Sequence, residues 1–335
     1  MNKKVVALGG GTGLSCLLKG LKQYPMDITA VVSVCDDGGS TGALRDEFNI
    51  LAVGDIRRVL MALSSNEKLL ENLFNYRFES EGNLNKHTVG NIILTAQAKI
   101  SGSIQKAIDS LDEILNLKGK VMPFTEDNNL KLVAKMADGK IVEGEHYITK
   151  YPEKILQVAY KQEPTINEEL LYEIVQADMI VLSMGSLFTS VIPNLLSQQI
   201  RDAIDQSNAK IVYCCNLFTQ PGETDDFTVS DHIKTLNQYL GNRKVEYVVA
   251  NNGQIDLELA QKYATEEQKD PVILDYEELD KLGVKVFSED LVYKRKESNT
   301  DKIVLRHNYM NLGFVLHALS LNCDHMLKNR RADNK

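Results

Sequence analysis

Two periodicities alternate along the chain, and each change of period marks an element. Lys3–Leu8 is a short run rich in β-branched residues that stops at a glycine cluster, and Leu14–Gln23 then sets Leu17, Leu18 and Leu21 on one helical face. Ile28–Val34 is apolar almost without interruption, as a parallel strand covered on both faces must be. Strand, glycine turn, helix and strand in that order open a doubly wound sheet. Helical spacing follows over Asp55–Leu63, Glu67–Tyr76, Val89–Ile100 and Ile104–Leu115. Val121–Phe124 reads as extended, and Leu130–Met136 and Ile141–Ile148 flank Asp138-Gly139, a hairpin turn signal because both residues tolerate positive φ. A helix is predicted over Asn167–Gln176. Strands at Met179–Ser183, Lys210–Asn216 and Val245–Ala250 then alternate with helices at Val191–Asp205 and Val229–Leu240.

The expectation is a Rossmann-like, doubly wound α/β domain with a mostly parallel sheet over residues 1–325. It carries a helical and β-hairpin insertion at about 60–165, and residues 326–335 form a basic C-terminal tail around Lys328 and Arg330-Arg331. Two lobes meeting at a cleft is the alternative.

Candidate chemistry collects where these strands end. Gly9-Gly10-Gly11-Thr12-Gly13-Leu14 offers backbone amides at a helix start, the usual way to hold a phosphate. It lacks the Lys-Ser/Thr pair of a nucleotide-hydrolysing P-loop, and Leu14 stands where a dinucleotide fingerprint needs its last glycine. Phosphate binding and a tight packing turn are the two readings left. Asp36-Asp37-Gly38-Gly39-Ser40-Thr41-Gly42 forms a second such turn. Two carboxylates ending an apolar strand need a partner: Mg²⁺, a ribose hydroxyl, or Arg45 or Arg58; a helix cap on a solvated turn is the plain alternative. Asp36, Asp37 and Asp55 are the candidate Mg²⁺ ligands, although Asp55 at the start of a helix could equally serve the helix dipole.

Downstream, Thr88 caps a helix that begins with Gly90 and Asn91, and Ser183–Ser190 makes a third polar strand-to-helix loop. Asn216 and Asn252 suit a uracil or amide edge, and Arg306 suits a phosphate. The candidate ligand-binding set is Gly10, Gly11, Thr12, Gly13, Asp37, Gly38, Gly39, Ser40, Asn91, Gly185, Ser186, Asn216, Asn252 and Arg306. No catalytic residue is assigned: His87 has no identified partner, and no His/Cys cluster has zinc spacing.

Composition narrows the class. At 335 residues and a formal charge of −8, the chain is expected to bind no nucleic acid. No stretch approaches the ~20 apolar residues of a membrane span, so no membrane insertion is expected. The five cysteines show no C-x-x-C spacing, which fits a reduced, cytoplasmic protein with buried thiols.

Taken together and in this order, the loops at 9–14 and 36–42, Gly54-Asp55-Ile56-Arg57-Arg58, Gly90-Asn91, Gly185–Ser190 and Arg306-His307 closely resemble the YvcK branch of the YvcK/CofD family. The resemblance spans almost the whole chain. It implies a cytoplasmic bacterial protein that binds nucleotide sugars of the UDP-N-acetylglucosamine type. It also implies a need for the protein in gluconeogenic growth and cell-shape maintenance, with cell-wall synthesis proteins as partners. The related CofD-like branch transfers a phospholactyl group from a nucleotide-diphosphate donor with Mg²⁺. That branch carries a carboxylate where this chain has Arg57, which weakens metal-assisted transfer here. Two functions are therefore weighed, a non-catalytic nucleotide-sugar regulator and a Mg²⁺-dependent 2-phospholactate-type transferase; a homodimer is compatible with either.

Overall fold

A computed structural model describes residues 2–65, 67–296 and 303–323. Seven strands form one parallel sheet: β1 (Lys3–Gly9), β2 (Met26–Val32), β3 (Lys120–Pro123), β7 (Met179–Leu182), β8 (Lys210–Cys214), β9 (Tyr247–Asn251) and β10 (Lys285–Glu289). Their order is β10-β9-β8-β7-β1-β2-β3, so the chain winds outward from β1 in one direction and later from β7 in the other. This is the Rossmann-like arrangement expected from the sequence. Alternate residues of one strand feed opposite cores: Val5 and Ala7 join one cluster, Val6 and Leu8 the other. Two apolar faces are why these strands read as continuous hydrophobic runs.

One face is covered by α1 (Gly11–Leu21), α3 (Val53–Leu63) and the C-terminal helix Tyr309–Ser320. α1 and that last helix cross where Gly20 meets Gly313. A Cβ on Gly313 would stand 2.6 Å from the Gly20 backbone, so only glycine permits the approach. Helices α2 (Gly39–Phe48), α4 (Glu67–Asn75), α5 (Val89–Ser101) and α6 (Ile104–Leu115) follow the first two strands.

Strand β3 lies within the stretch expected as an insertion, yet it pairs with β2 at the edge of the parallel sheet. The antiparallel part of that stretch comprises β4 (Leu132–Met136), β5 (Ile141–Glu143) and β6 (Ile155–Tyr160), in the order β5-β4-β6. The extended run expected through Ile148 stops early. Gly144, at φ +95, turns the chain into a one-turn helix, Glu145–Ile148. The helix expected over Val191–Asp205 is also broken. A π turn at Leu187–Val191 and a 3₁₀ turn at Ile192–Leu195 precede Gln198–Gln206, which Ser197 caps through the Gln199 amide. Pro193 lacks an amide, and the Asn194 side chain instead donates to the Ser190 carbonyl at 2.8 Å, so the backbone ladder gives way to a side chain there. A ribbon of β11 (Val292–Lys296) and β12 (Ile303–His307) completes the strands. The basic tail at 326–335 lies outside the described residues.

Candidate functional site

The sheet changes winding direction between β1 and β7, and ligands of open α/β sheets bind beyond the carboxyl ends of strands at such a point. The loops leaving those two strands interlock. Gly10 caps α1 in extended conformation with no side chain of its own supplying the cap. The Asp55 carboxylate stands beside this helix start and accepts from the Gly11 amide, which leaves Thr12 and Gly13 as the first-turn donors. A Cβ on Gly13 would lie 1.8 Å from the Met184 carbonyl oxygen. Any other residue there would push the two loops apart.

The second loop is fixed from below. The Gly185 amide donates to Asn216 Oδ1 at 2.8 Å, and Asn216 Nδ2 donates back to the Gly185 carbonyl at 2.8 Å. The Ser186 hydroxyl meets both carboxylate oxygens of Glu223, at 2.8 and 2.7 Å. Burial pushes the Glu223 carboxyl above its ordinary pKa, and the Ser186 hydroxyl together with the Phe188 and Leu187 amides holds it back down.

Across from these loops the β11–β12 ribbon is pinned to the sheet. His307 donates Nε2–H to the Cys215 carbonyl at 3.0 Å, which fixes its neutral tautomer because a carbonyl only accepts. Desolvation holds its pKa down at about 4, opposed by the Cys215 contact and aided by neighbouring Arg306. The Leu305 amide donates to the Tyr263 hydroxyl at 2.9 Å. The space enclosed is a cleft of about 540 Å³, lined among others by Gly10–Gly13, Ser186, Phe218, Tyr263 and Arg306. Phe218 and Tyr263 stack with ring centres 4.6 Å apart and planes 22° from parallel.

Of the residues expected from sequence, Gly10, Gly11, Thr12, Gly13, Gly185, Ser186, Asn216 and Arg306 line this cleft. Asn216 does so as a positioning group, since both ends of its amide are engaged by Gly185. Asp37, Gly38, Gly39, Ser40, Asn91 and Asn252 are not among its lining residues. The turn at 38–42 does leave the strand beside β1, and the Ser33 amide donates to the Gly9 carbonyl at 2.8 Å. Its amides start α2 elsewhere, and Ser40 Oγ lies 2.9 Å from His87 Nδ1. Asn91 is buried at the start of α5, where its amide donates to the Thr88 hydroxyl. Asn252 bonds Ser288 at 3.2 Å. The aromatic pair had no motif to announce it. Phe218 directly follows the Asn216-Leu217 segment, and Tyr263 is simply an apolar position of the amphipathic helix Leu257–Glu267.

The three carboxylates proposed for Mg²⁺ do not assemble as expected. Asp36 Oδ1 accepts from the Gly38 amide at 3.0 Å, and Asp37 Oδ1 turns outward to the His146 amide at 2.8 Å. Asp55 is salt-bridged to Arg58 at 2.6 Å. Burial raises the Asp55 pKa despite that arginine, with Asp36 pushing the same way. Among the described residues no group of three acidic, histidine or cysteine side chains could hold a metal ion. Each carboxylate has its own local partner, so this donor set does not fit the ion and no chemical step is derived through it. Asp37 instead lines a separate cleft of about 550 Å³ against the insertion. The cysteines are free; Cys35, Cys214 and Cys215 are buried and Cys16 and Cys323 half-buried. Desolvation raises the Cys16 and Cys35 thiols to about 11, so neither is a ready nucleophile.

Comparison with known proteins agrees with this architecture. The family model described as 2-phospho-L-lactate transferase CofD matches residues 5–292. The gluconeogenesis factor of Bacillus subtilis (strain 168) is 42% identical over 314 residues, covering 93% of this chain and 96% of that protein. The gluconeogenesis factor of Halalkalibacterium halodurans is 44% identical over 307 residues, covering 91% of this chain and 93% of that one. A crystal structure of a UPF0052-family protein from Bacillus halodurans superposes with a TM-score of 0.87 at 42% identity, covering 94% of this chain and 99% of that chain.

Proposed function

The chain belongs to the YvcK/CofD family, and from that membership we propose that it is a nucleotide-sugar-binding regulator with a role in gluconeogenic growth. The ligand class is that of UDP-N-acetylglucosamine, and the proposal extends to a cytoplasmic setting, a part in cell-shape maintenance and partners among cell-wall synthesis proteins. The names carried by the B. subtilis and H. halodurans relatives support the gluconeogenic role.

The observation that carries the ligand is the pairing, in one cleft, of a glycine-rich helix start with a stacked aromatic pair and an exposed arginine. The amides of Thr12 and Gly13 and the Arg306 guanidinium would neutralise a diphosphate, each contact strengthened by the ligand's charge. The Tyr263–Phe218 pair offers a flat apolar surface for a nucleobase, with Thr219 and Gln220 beside it to meet polar edges. Asn216 and Glu223 hold the Gly185–Ser186 loop in the shape the ligand meets. A ligand that touches both the sheet loops and the ribbon favours the state in which they stand at this separation. That differential affinity is how binding would be passed to a partner.

Base stacking is worth about 1–3 kcal/mol per base, so Tyr263→Ala should weaken UDP-N-acetylglucosamine binding by about 5- to 150-fold. Tyr263→Phe keeps the ring but removes the acceptor of the Leu305 amide, so it should weaken binding less than Tyr263→Ala does. Equal loss in both variants would remove stacking from the account. The transferase reading is favoured by the description of the matching family. Turnover of a nucleotide-diphosphate-linked phospholactate with an alcohol acceptor would establish it and displace the regulator.

A further inference from the structure

A second cleft of about 290 Å³ adjoins the first, sharing Thr12, Cys16, Arg306 and His307 with it. Its own lining has the opposite electrostatic character from the molecule as a whole. Lys19, Arg57, Arg58, Arg295 and Arg306 face it, with Glu71 as the one lining carboxylate among the described residues, on a chain whose formal charge is −8. Lys19 meets Glu71 at 3.3 Å, and Arg58 meets Asp55 at 2.6 Å. Among the described residues, Arg57, Arg295 and Arg306 have no carboxylate partner.

Arg57 is the most telling of these. It is only 5% exposed, donates to the Thr88 hydroxyl, and leaves Nε buried with no hydrogen-bond partner. Packing explains its stem, because a Cβ on Gly90 would stand 2.7 Å from Arg57 Cδ. Packing does not explain the guanidinium. Desolvation, then Arg58 and Arg77, pull its pKa down to about 10, with the Asp55 carboxylate offsetting only part of this. Burying a charge costs several kcal/mol unless it is paired, and the fold holds other cations beside this one.

We infer that this cleft binds the phosphate group of a small phosphorylated metabolite, a ligand distinct from the nucleotide sugar. Guanidinium forks match the oxygens of a phosphate bidentately, and a dianion offsets more of the clustered charge than a carboxylate would. Arg306 and His307 stand at the boundary between the clefts, so occupancy of one is placed to alter affinity in the other, reciprocally.

The test is calorimetric titration of the full chain at low salt with inorganic phosphate, with glucose 6-phosphate, and with glucose as the uncharged control. One-site binding of a phosphate-bearing probe, and none of glucose, is expected; the two probes tell a free anion from a phosphate ester. Losing one charge-assisted contact should weaken that binding about tenfold in Arg57→Gln and in Arg295→Gln. Arg295 is exposed and outside the first cleft, so Arg295→Gln should leave UDP-N-acetylglucosamine affinity within about twofold, and it decides the matter alone if Arg57→Gln fails to fold. Absence of phosphate binding at about 10 mM overturns the inference. So does binding that Arg306→Ala abolishes while both other variants leave it unchanged, because the phosphate would then sit in the first cleft. The phosphate-binding outcomes do not depend on whether the nucleotide sugar itself binds.

Discussion

Glu145 is half-buried next to Asp36, Asp37 and Glu223, and desolvation first, then those three carboxylates, lift its pKa from 4.5 to about 7. A folded-state pKa above the unfolded value means the favourable contribution is complete below pH 4.5 and is lost as pH rises through 7. Glu145→Gln keeps an acceptor for the Thr189 hydroxyl and removes the charge. It should stabilise the protein by about 2 kcal/mol at pH 8, discounted for partial exposure, and by almost nothing near pH 4. Urea denaturation at the two pH values reads the difference; an equal effect at both would show that the carboxylate is not strained by its neighbours. At this scale the gathering of the glycine loop and Arg306 at one strand-end cleft was legible, because each belongs to a short motif recognisable by residue type. Asn216 was legible as a site residue but not in role, since its partner Gly185 lies 31 positions away. Asp37 was misplaced for a related reason. Its direction depends on the His146 amide, 109 residues distant.

Among the elements, α6 was readable to the residue at Ile104–Leu115 because its apolar period, its Ser103 cap and its Asn116 end agree. Val191–Asp205 was not. Its apolar spacing is helical throughout, but Pro193 and the Ser197 cap divide it, and side-chain bonds from Asn194 settle which turns form. The crossing of α1 with Tyr309–Ser320 gives a direct test of packing. With 2.6 Å available at Gly313, Gly313→Ala forces the helices apart and should cost about 2 kcal/mol. Urea midpoints measure this; an unchanged midpoint would mean the helices shift without loss. Because α1 begins at the cleft, the same variant should also weaken nucleotide-sugar binding.

For the whole molecule, strand order is the decisive property. Placing β1 beside β7 brings together two loops more than 170 residues apart in sequence and sets the ribbon across from them. Alternation and loop chemistry made the doubly wound sheet legible, but which loops share a cleft follows from pairing that no local pattern encodes. The turn at 38–42 shows the consequence, lying on the neighbouring strand yet outside the cleft lining. The central claim is that the β1 loop, the aromatic pair and Arg306 form one binding surface for a nucleotide diphosphate linked to a sugar. Calorimetric titration of the full chain with UDP-N-acetylglucosamine, beside Arg306→Ala, tests it most directly. A single site that weakens about tenfold or more when the guanidinium is removed is the predicted result. No heat at millimolar ligand, with or without Mg²⁺, or equal affinity in the two proteins, would contradict it.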